Sequence, residues 1–570
     1  MTGAVALMAA GVATFQLSNY DIWWHLAAGR WMVAHRAIAR HEAFSFTAAG
    51  RPWIDHEWLF QLAAWAVHAL GGVAGLILAK AAVVAATVAL VHRFMVRKGG
   101  LTPAAAGFVL IPFVVVSRLR LLVRPEIASL LFAVILLSVL LTESTNAGGM
   151  KRLLWIPALM VLWANVHAGV ALGLMLLAVT LVGAVLEGAF REPPRELTGA
   201  GRLAVVSAAS VAAVLVNPWG WRVLTVPFRL TSMMAHGPFH NWEWQPSTWE
   251  ASWPVLLLVV ASTAVAVASV IRRPAWRPVL VLTLLAFLVL RYRRNLAVFC
   301  LLAPIPLSQL AAEAWPQKIG SRFLTSVRPA LVAGLLVVVG FWGATAGWML
   351  PAGLGVNSHD VPVGAVNFLA RVKPPGNPIH PYDFGGYLAW RLGPATKIFM
   401  DGRNEIFVDL RREIAASEGN DQRWRQLLDH WRIDWALMPY SAGLVTVRVP
   451  DGAGGPQRYI REPRTVFEFP RNRWALVWFD DCAMVLLRRT SSMANLIERY
   501  EMADVYPELP DYQLEAFARG TADPVRCLNE LSRFVRAAPD CRRARRLLEL
   551  TRSYLAAAGR PVPTAWNGGR

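Results

Sequence analysis

Long apolar segments separated by short polar stretches fill the first 350 residues, and this pattern predicts a bundle of membrane-spanning helices. A spanning helix needs roughly 20 apolar residues, with about 17 to 25 as the usual range. The apolar stretch 57–70 is assigned to the membrane interface, and the segment before Asn165 is a candidate for half of a broken or re-entrant pair. About eleven spans are predicted, near residues 2–18, 73–92, 102–117, 126–142, 152–164, 168–190, 202–216, 252–271, 276–291, 296–313 and 329–350.

The composition supports this prediction. The chain of 570 residues is 55% hydrophobic and 16% charged, whereas soluble domains carry about 25% charged residues. Its 25 tryptophans fit a protein with two water–lipid boundaries, where indole rings are enriched. The N-terminal stretch lacks a basic region and is predicted to be a retained first span rather than a cleaved signal peptide.

Basic residues between the apolar segments fall on alternate loops. The net charge is +20, and cytoplasmic loops carry an excess of Lys and Arg. The pattern predicts a cytoplasmic N-terminus and, with an odd number of spans, an outside location after about residue 350. The arginines are scattered between spans, which argues against nucleic-acid binding. The cytoplasmic set comprises Arg93, Arg97, Lys98, Lys151, Arg152, Arg191, Arg195, Arg202, Arg272, Arg273, Arg277, Lys318, Arg322 and Arg328.

Polar and aromatic residues concentrate in the loops of the opposite face. Charged residues at span ends usually face a protein interior or a watery cavity. These loops therefore predict a polar cavity that opens to the periplasm or cell exterior, with Glu126 and His167 among its lining. The stretches concerned are NYDIWWHLAAGRWM, RPWIDHEWLF, SRLRLLVRPE, WANVHAGV, VNPWGWRV, NWEWQPSTW and RYRRN.

Several arginines on this outer face break the positive-inside trend. One interpretation is that they anchor the helices to lipid headgroups. The other is that they bind an anionic ligand such as a lipid phosphate, because guanidinium groups bind phosphate through paired hydrogen bonds. The arginines concerned are Arg118, Arg120, Arg124, Arg291, Arg293 and Arg294.

The first outer loop begins with a predicted surface helix and ends with a second acidic cluster. Residues four apart lie on one helix face, so Asp21 and His25 would face the cavity. A neighbouring stripe would face lipid. The alternative is that Asp21 only caps the helix, as Asp often does. The predicted lipid-facing residues are Trp24, Ala28 and Trp31, the turn residues are Gly50 and Pro52, and the second cluster is Asp55, His56 and Glu57.

The order of these features resembles the first external loop of the C-type glycosyltransferase superfamily, whose members are polytopic enzymes that take sugars from polyprenyl-phosphate carriers. DIWWHL looks like the Asp–aromatic–aromatic–His or Asn stretch of oligosaccharyltransferase catalytic subunits, although Ile22 stands where those usually have proline. The loop is also similar to that of protein mannosyltransferases and lipid A aminoarabinose transferases. By this resemblance Asp21 would be catalytic base or metal ligand, with Mg or Mn as the implied cofactor, and the cluster at Glu57 would complete the site.

After about Leu350 the hydropathy falls, and predicted helices and strands alternate. VGAVNFLARV and DQRWRQLLDHWR are predicted helices, TKIFM and IDWALMP are predicted strands, and RWALVWFDDCAMVLLRR is a predicted hairpin with Asp480 and Asp481 at its turn. The predicted organisation is a transmembrane part at 1–350 with a first external loop at 19–72, an exported α/β domain at 351–490 and a helical tail at 491–570.

The predicted α/β domain carries a second group of polar candidates. Asp383, Asp401 and Arg403 follow Pro/Gly or strand-end positions, where functional groups often lie. YDFGGY is similar to the Trp-Trp-Asp-Tyr-Gly motif with which oligosaccharyltransferases bind the acceptor peptide. Pro381 and Tyr382 replace the two tryptophans, which argues against recognition of a peptide sequon. The alternative is structural, with Asp383 holding a turn and Asp401 paired with Arg403 at a strand end.

The four cysteines show no metal-binding spacing. Cys527 and Cys541 lie in the helical tail. If this part is exported they could form a disulfide, and two free buried thiols are the equal alternative.

These features predict a polytopic α-helical membrane glycosyltransferase of the C-type in the inner or cytoplasmic membrane. It would move a sugar from a polyprenyl-phosphate-linked donor to an acceptor glycan, lipid or protein on the outer face. A transporter or flippase for a lipid-linked saccharide and a scaffold of an envelope polysaccharide system are the alternatives. The predicted catalytic residues are Asp21 and Glu57, and the predicted substrate-binding residues are His25, Asp55, His56, Arg118, Arg120, Arg124, Glu126, His167, Arg291, Arg293, Arg294, Asp383, Asp401 and Arg403.

Overall fold

The computed structural model describes residues 1–142, 152–189, 198–237, 241–272, 275–314, 329–345, 350–440, 444–449 and 458–560. It divides into two compact units. The first comprises residues 1–40 and 53–356, and the second comprises residues 41–52 and 357–570. Seven of the predicted cytoplasmic residues lie outside the described ranges: Lys151, Arg191, Arg195, Arg273, Lys318, Arg322 and Arg328.

The first unit is helical in the parts that the structure describes. Its α-helices are Thr2–Val12, Asp21–His35, Trp58–Arg97, Pro103–Ser117, Glu126–Leu140, Ile156–Val166, Val170–Ala189, Thr198–Val214, Arg222–His236, Trp249–Arg272, Trp276–Arg291, Leu296–Leu302, Pro304–Ala314 and Pro329–Thr345. Short 3₁₀ turns at Arg118–Arg120, Trp242–Trp244 and Arg293–Asn295 lie among the predicted outer loops.

Within the described ranges, four helices are long and apolar enough to cross a membrane, or five if one bent pair counts as a single span. Shorter apolar helices accompany them, so the count of eleven spans stays a prediction. The longest helix, Trp58–Arg97, joins the predicted interfacial segment to the following span, with a left-handed break at Gly72 (φ 59°). The first helix packs tightly against the last, because a Cβ at Gly11 would lie 2.0 Å from the carbonyl oxygen of Gly340.

The predicted surface helix exists as Asp21–His35, but its predicted lipid-facing stripe is wrong at two of its three residues, Trp24 and Ala28. Trp24 is 8% exposed and Ala28 is fully buried. The reason is that this helix packs closely on Trp58–Arg97, where a Cβ at Gly29 would lie 2.4 Å from the carbonyl oxygen of Gln61. Trp24 and Ala28 therefore face protein rather than lipid.

The second unit is an α/β fold with additional helices at its C-terminal end. Its strands are β1 (Asn377–Ile379), β2 (Ile433–Pro439), β3 (Leu444–Val449), β4 (Arg458–Pro463), β5 (Trp474–Phe479) and β6 (Ala483–Arg488). Its helices are Val363–Val372, Tyr382–Leu392, Val408–Ser417, Asp421–His430, Arg464–Glu468, Ala494–Tyr500, Pro510–Ala518, Pro524–Ala537 and Arg542–Ala557.

Four of the strands form one sheet in the order β1-β2-β6-β5, and β3 pairs with β4. β1 is parallel to β2, while β2–β6 and β6–β5 are antiparallel. The predicted helices at 363–372 and 421–430, the strand IDWALMP and the hairpin with Asp480 and Asp481 at its turn are confirmed. The β5 side chains are buried on both faces, as expected for a strand inside the core.

The predicted strand TKIFM is wrong. Ile398 makes only an isolated bridge with Ser45, and the amide of Phe399 donates to His380 Nε2 (3.0 Å). This apolar run is buried, but its hydrogen bonds go to an irregular segment and to a side chain, so no ladder forms. All four cysteines are free and buried, which is the second of the two alternatives for Cys527 and Cys541.

Candidate functional site

Arg124 is the centre of a polar cluster built from several of the predicted outer loops of the first unit. Its Nη2 lies 2.8 Å from Asp21 Oδ2, and its Nη1 donates to Glu243 Oε1 (3.0 Å). Its Nε donates to Asn19 Oδ1 (3.1 Å), which also accepts from the Asp21 amide (3.0 Å). Burial lowers the pKa of Arg124, but the neighbouring carboxylates outweigh this and raise the pKa above its usual value. The guanidinium is therefore a fixed positive charge held in one orientation.

The cluster continues through a second and a third arginine. Arg120 Nη1 lies 2.6 Å from Glu243 Oε1, and its Nη2 donates to Glu126 Oε2 (2.9 Å). Arg294 Nη2 donates to the other oxygen of Glu126 (3.2 Å), and its guanidinium lies 4.2 Å from the ring centroid of Trp244. Acidic and basic side chains thus alternate in a charge ladder whose members are Asp21, Arg124, Glu243, Arg120, Glu126 and Arg294.

The charge ladder carries three positive and three negative charges, so its formal net charge is zero. Buried charges are stable only when they are paired and hydrogen-bonded, which each member achieves through its neighbours. An anionic ligand that binds Arg124 would therefore compete with its carboxylate partners. Asp21 is at the end of the ladder and has the highest exposure of the three acids, with 29% of its side chain accessible.

A second acidic centre surrounds Glu57. Its carboxylate oxygens lie 4.0 Å from His25 Nε2, 3.6 Å from His56 Nε2 and 3.8 Å from His167 Nε2. Burial lowers the pKa of His56 to about 4 and that of His167 to about 3. Both are thus neutral at pH 7. His25 lies one helical turn after Asp21, so the helix Asp21–His35 contributes to both centres.

Hydrogen bonds from neighbouring loops hold the second centre in place. Ser129 Oγ lies 2.8 Å from His167 Nδ1 and accepts from Trp163 Nε1 (2.7 Å). Asn165 Oδ1 accepts from Trp58 Nε1 (3.0 Å), next to Glu57 in the chain. These contacts orient the His167 ring and tie the WANVHAGV stretch to the start of the long helix.

We expect the two neutral histidines to make the protein less stable in acid. In the unfolded chain a histidine pKa is about 6.5, so between about pH 6.5 and pH 4 the unfolded state binds more protons. Stability should then fall as the pH falls, by up to about 1.4 kcal/mol per pH unit for each histidine. Thermal unfolding measured from about pH 7 down to about pH 4.5 checks this. An identical slope in the His56→Gln protein would contradict the contribution of His56.

The remaining predicted arginines and Asp55 have other surroundings. Arg118 is buried and donates to the carbonyl oxygen of Val12 (2.6 Å), so it holds the end of the first helix. Asp55 is buried and accepts from Gln61 Nε2 (2.5 Å). Arg291 lies over the ring of Tyr292, at 4.6 Å from its centroid. The structure therefore does not bring these residues into the charge ladder.

Arg293 is also outside the charge ladder. Its exposed guanidinium donates to the carbonyl oxygen of Pro246 (2.9 Å) and to Thr248 Oγ1 (3.2 Å). Neither partner is charged, and both lie in the stretch that follows Glu243. This position fits the headgroup-anchoring interpretation of the outer arginines.

Asp383, Asp401 and Arg403 lie in the second unit. Asp383 is in the first turn of the helix Tyr382–Leu392. Arg403 Nε donates to Asp401 Oδ1 (2.8 Å), its Nη2 donates to Oδ2 (2.7 Å), and its Nη1 contacts Glu42. All three members of this ion cluster are almost completely buried, which favours the structural alternative for Asp401 and Arg403.

A metal at Asp21 finds no support in the surrounding side chains. The guanidinium of Arg124 occupies the position next to Asp21, where its positive charge would repel a cation. Across the described ranges, no group of three or more His, Cys, Asp or Glu side chains is arranged to hold a metal ion.

Sequence reasoning missed Glu243, Asn19 and Ser129. Glu243 is the residue that links Arg124 to Arg120. The available signal was its position in NWEWQPSTW, one of the seven polar stretches of the predicted outer face. Asn19 had the same signal, because it begins the stretch NYDIWWHLAAGRWM. Ser129 lies in the first turn of the helix Glu126–Leu140, and nothing in its local pattern indicates which side chains it contacts.

The sequence matches no protein-family model and no curated protein. Two solved structures from Archaeoglobus fulgidus share its fold. The oligosaccharyltransferase AglB in complex with an inhibitory peptide and a dolichol-phosphate superimposes with a TM-score of 0.51 at 11% identity, over 99% of this chain and 87% of that chain. The oligosaccharyltransferase complex with Zn and sulfate gives 0.50 at 10% identity, over 93% and 85%. The resemblance seen in the sequence is thus confirmed at the level of fold.

Proposed function

We propose that this chain, which has the fold of a C-type glycosyltransferase, is a membrane enzyme that transfers a sugar from a polyprenyl-phosphate-linked donor to an acceptor. The observation that carries the proposal is the charge ladder, which places a carboxylate, Asp21, directly against an arginine suited to phosphate binding. The fold-related AglB was solved with a dolichol-phosphate, which supports a lipid-linked donor. In this proposal the N-terminus is cytoplasmic and the second unit lies in the periplasm or outside the cell.

In this proposal, donor binding releases Asp21 from Arg124 so that its carboxylate can act as the base. A phosphate oxygen of the donor takes the Arg124 N–H groups that now contact Asp21, which frees the carboxylate. Asp21 then removes the proton from an acceptor hydroxyl or amide as that atom bonds to the sugar C1. The C1–O bond to the phosphate breaks, and the arginines stabilise the negative charge that grows on the leaving phosphate.

Glu57 and the three histidines are the second part of the proposed site. The neutral rings of His56 and His167 can each donate one hydrogen bond and accept another. His56 Nδ1 donates to the carbonyl oxygen of Ile54 (3.3 Å), so its Nε2 can accept from a sugar hydroxyl, while His167 Nε2 faces Glu57 and can donate to it. Because His25 and Asp21 lie on one helix, a shift of that helix would move both centres together.

The test of the proposed function is a comparison of lipid-linked saccharides in cells with and without the protein. Cells that lack it should accumulate the donor lipid on the outer leaflet and lose the modified acceptor, both measured by mass spectrometry. Purified protein in nanodiscs should then consume the accumulated lipid when the acceptor fraction is added. Failure to turn over the lipid would contradict the enzymatic proposal.

A flippase for a lipid-linked saccharide is the second candidate, and one observation favours it. The helices Arg293–Leu302 and Pro304–Ala312 form a pair bent by 44°, and broken helices often form the substrate sites of transporters. If the protein is a flippase, cells that lack it should accumulate the saccharide lipid in the inner leaflet. The leaflet in which the lipid accumulates therefore separates the two candidates.

We expect Arg124→Ala to weaken donor binding and Arg293→Ala to leave it nearly unchanged. A hydrogen bond to a charged group contributes about 1.5–3 kcal/mol, so loss of Arg124 should reduce donor affinity by about ten- to more than a hundred-fold. Arg124→Lys should rescue part of this, because it restores the charge without the paired donors. The measurement is the binding of a polyprenyl-phosphate to the three variants. If both alanine variants bound it with equal affinity, Arg124 would have only a structural role.

A further inference from the structure

A cleft in the second unit, of about 510 Å³, is not used by the proposed reaction. Ligand sites usually measure about 300–1,000 Å³. The cleft lies beside the first turns of the helix Arg542–Ala557, the turn between β5 and β6 and the start of the helix Pro510–Ala518. The polar residues in its wall are His359, Tyr440, Asp481, Glu508, Arg542, Arg543 and Arg546.

Contacts within the second unit fix part of this wall. Asp481 accepts from the amides of Arg543 (2.8 Å) and Arg542 (3.2 Å), so the helix start is already capped by a carboxylate. The Arg543 guanidinium lies 3.6 Å from the ring centroid of Tyr440, and its Nη1 donates to the carbonyl oxygen of Pro507 (2.7 Å). The backbone and one arginine are therefore held in place before any ligand binds.

Other polar groups of the wall either lack a hydrogen-bond partner or are exposed. Glu508 is only 5% exposed, and neither its Oε2 nor the Arg543 Nε has a hydrogen-bond partner in the described parts of the chain. A buried polar atom without a partner is costly, and a ligand or bound water would satisfy it. Arg542 and Arg546 are exposed, and they lie four residues apart on one face of their helix.

We propose that this cleft binds an anionic saccharide, that is, a glycan that bears carboxylate or phosphate groups. The guanidinium groups of Arg542 and Arg546 suit its charged group. Asp481 and Glu508 can accept hydrogen bonds from its hydroxyls. Their carboxylates would repel an anion that has no hydroxyl groups to donate such bonds. The choice of a saccharide rests on the proposed function, since a glycosyltransferase needs to hold a glycan acceptor.

The test measures saccharide binding by the full-length protein in nanodiscs of phosphatidylcholine, in which neither a sugar-headed detergent nor an anionic lipid competes. The probes are tetragalacturonate, which is anionic, and maltotetraose, which is neutral. Tetragalacturonate should bind saturably and more tightly than maltotetraose. The double variant R542Q/R546Q should weaken its binding by at least about tenfold.

The matched control is R545Q/R552Q, which removes the same charge from exposed positions of the same helix outside the cleft wall. This control should change binding by less than about twofold, because both arginines lie away from the ligand. Equal losses in the two double variants, or equal affinity for both probes, would overturn the proposal. The Asp21→Asn protein should bind tetragalacturonate normally, because Asp21 is not part of the cleft wall. If the unaltered protein bound tetragalacturonate but transferred no sugar, the proposed function would be refuted and the cleft assignment would stand.

Discussion

Replacing Asp21 by Asn is expected to reduce sugar transfer by at least about a hundred-fold while the protein stays folded and still binds the donor. Removal of a proton by a positioned carboxylate contributes typically about 10²–10⁴ in rate, and an amide cannot accept that proton. Arg124 keeps Glu243 and Asn19 as partners in this variant, so the guanidinium should stay in position. Transfer from a defined polyprenyl-phosphate donor is the measurement.

The control is Glu187→Gln, which also removes an ion pair from the first unit. Glu187 Oε2 accepts from Arg277 Nε (2.8 Å) and is partly buried, so the two variants should lose similar stability. Only Asp21→Asn should lose transfer. Glu57→Gln, measured in parallel, tests whether the second acidic centre takes part. Near-normal transfer by the Asp21→Asn protein would remove Asp21 from the reaction and favour the flippase.

The capping alternative for Asp21 is not supported by its surroundings. Tyr20 is the N-cap residue of the helix, no side-chain capping hydrogen bond is present there, and Asp21 is the first helical residue. Its carboxylate contacts Arg124 instead. A negative charge in the first turn still stabilises the helix by about 0.3–1 kcal/mol through its interaction with the helix dipole. If this were the only role of Asp21, Asp21→Asn would change stability slightly and leave transfer unchanged.

The sequence predicted the loops that contribute polar side chains to the candidate site, but it did not predict which side chains pair. Charged residues in apolar surroundings are costly unless they meet partners, so their presence in seven loops implied a shared polar region. The choice of Glu243 as the link between Arg120 and Arg124 depends on how distant helices pack, and no local pattern encodes it. The wrong stripe at Trp24 has a related cause: lipid-facing and protein-facing positions of a membrane protein are both apolar, so the pattern does not separate them.

The ion cluster of Arg403 predicts the largest effect on stability. Arg403→Met should destabilise the second unit by about 3–5 kcal/mol, because it leaves Asp401 and Glu42 buried without a counter-charge. The exposed control, Arg412→Met, breaks a surface ion pair with Asp409 and should cost no more than about 1 kcal/mol. Thermal unfolding and the rate of limited proteolysis within residues 357–560 are the measurements.

A compensating double variant distinguishes a structural cluster from a ligand site. Adding Asp401→Asn to Arg403→Met removes one of the two unpaired carboxylates, so the double variant should be more stable than Arg403→Met alone. In both proteins, donor binding should decrease only in proportion to the fraction of unfolded protein. The reason is that Arg403 pairs with Asp401 and Glu42, so none of the three charges is left for a ligand. If Arg403→Met instead kept full stability and lost donor or acceptor binding, the cluster would be part of the site and not of the fold.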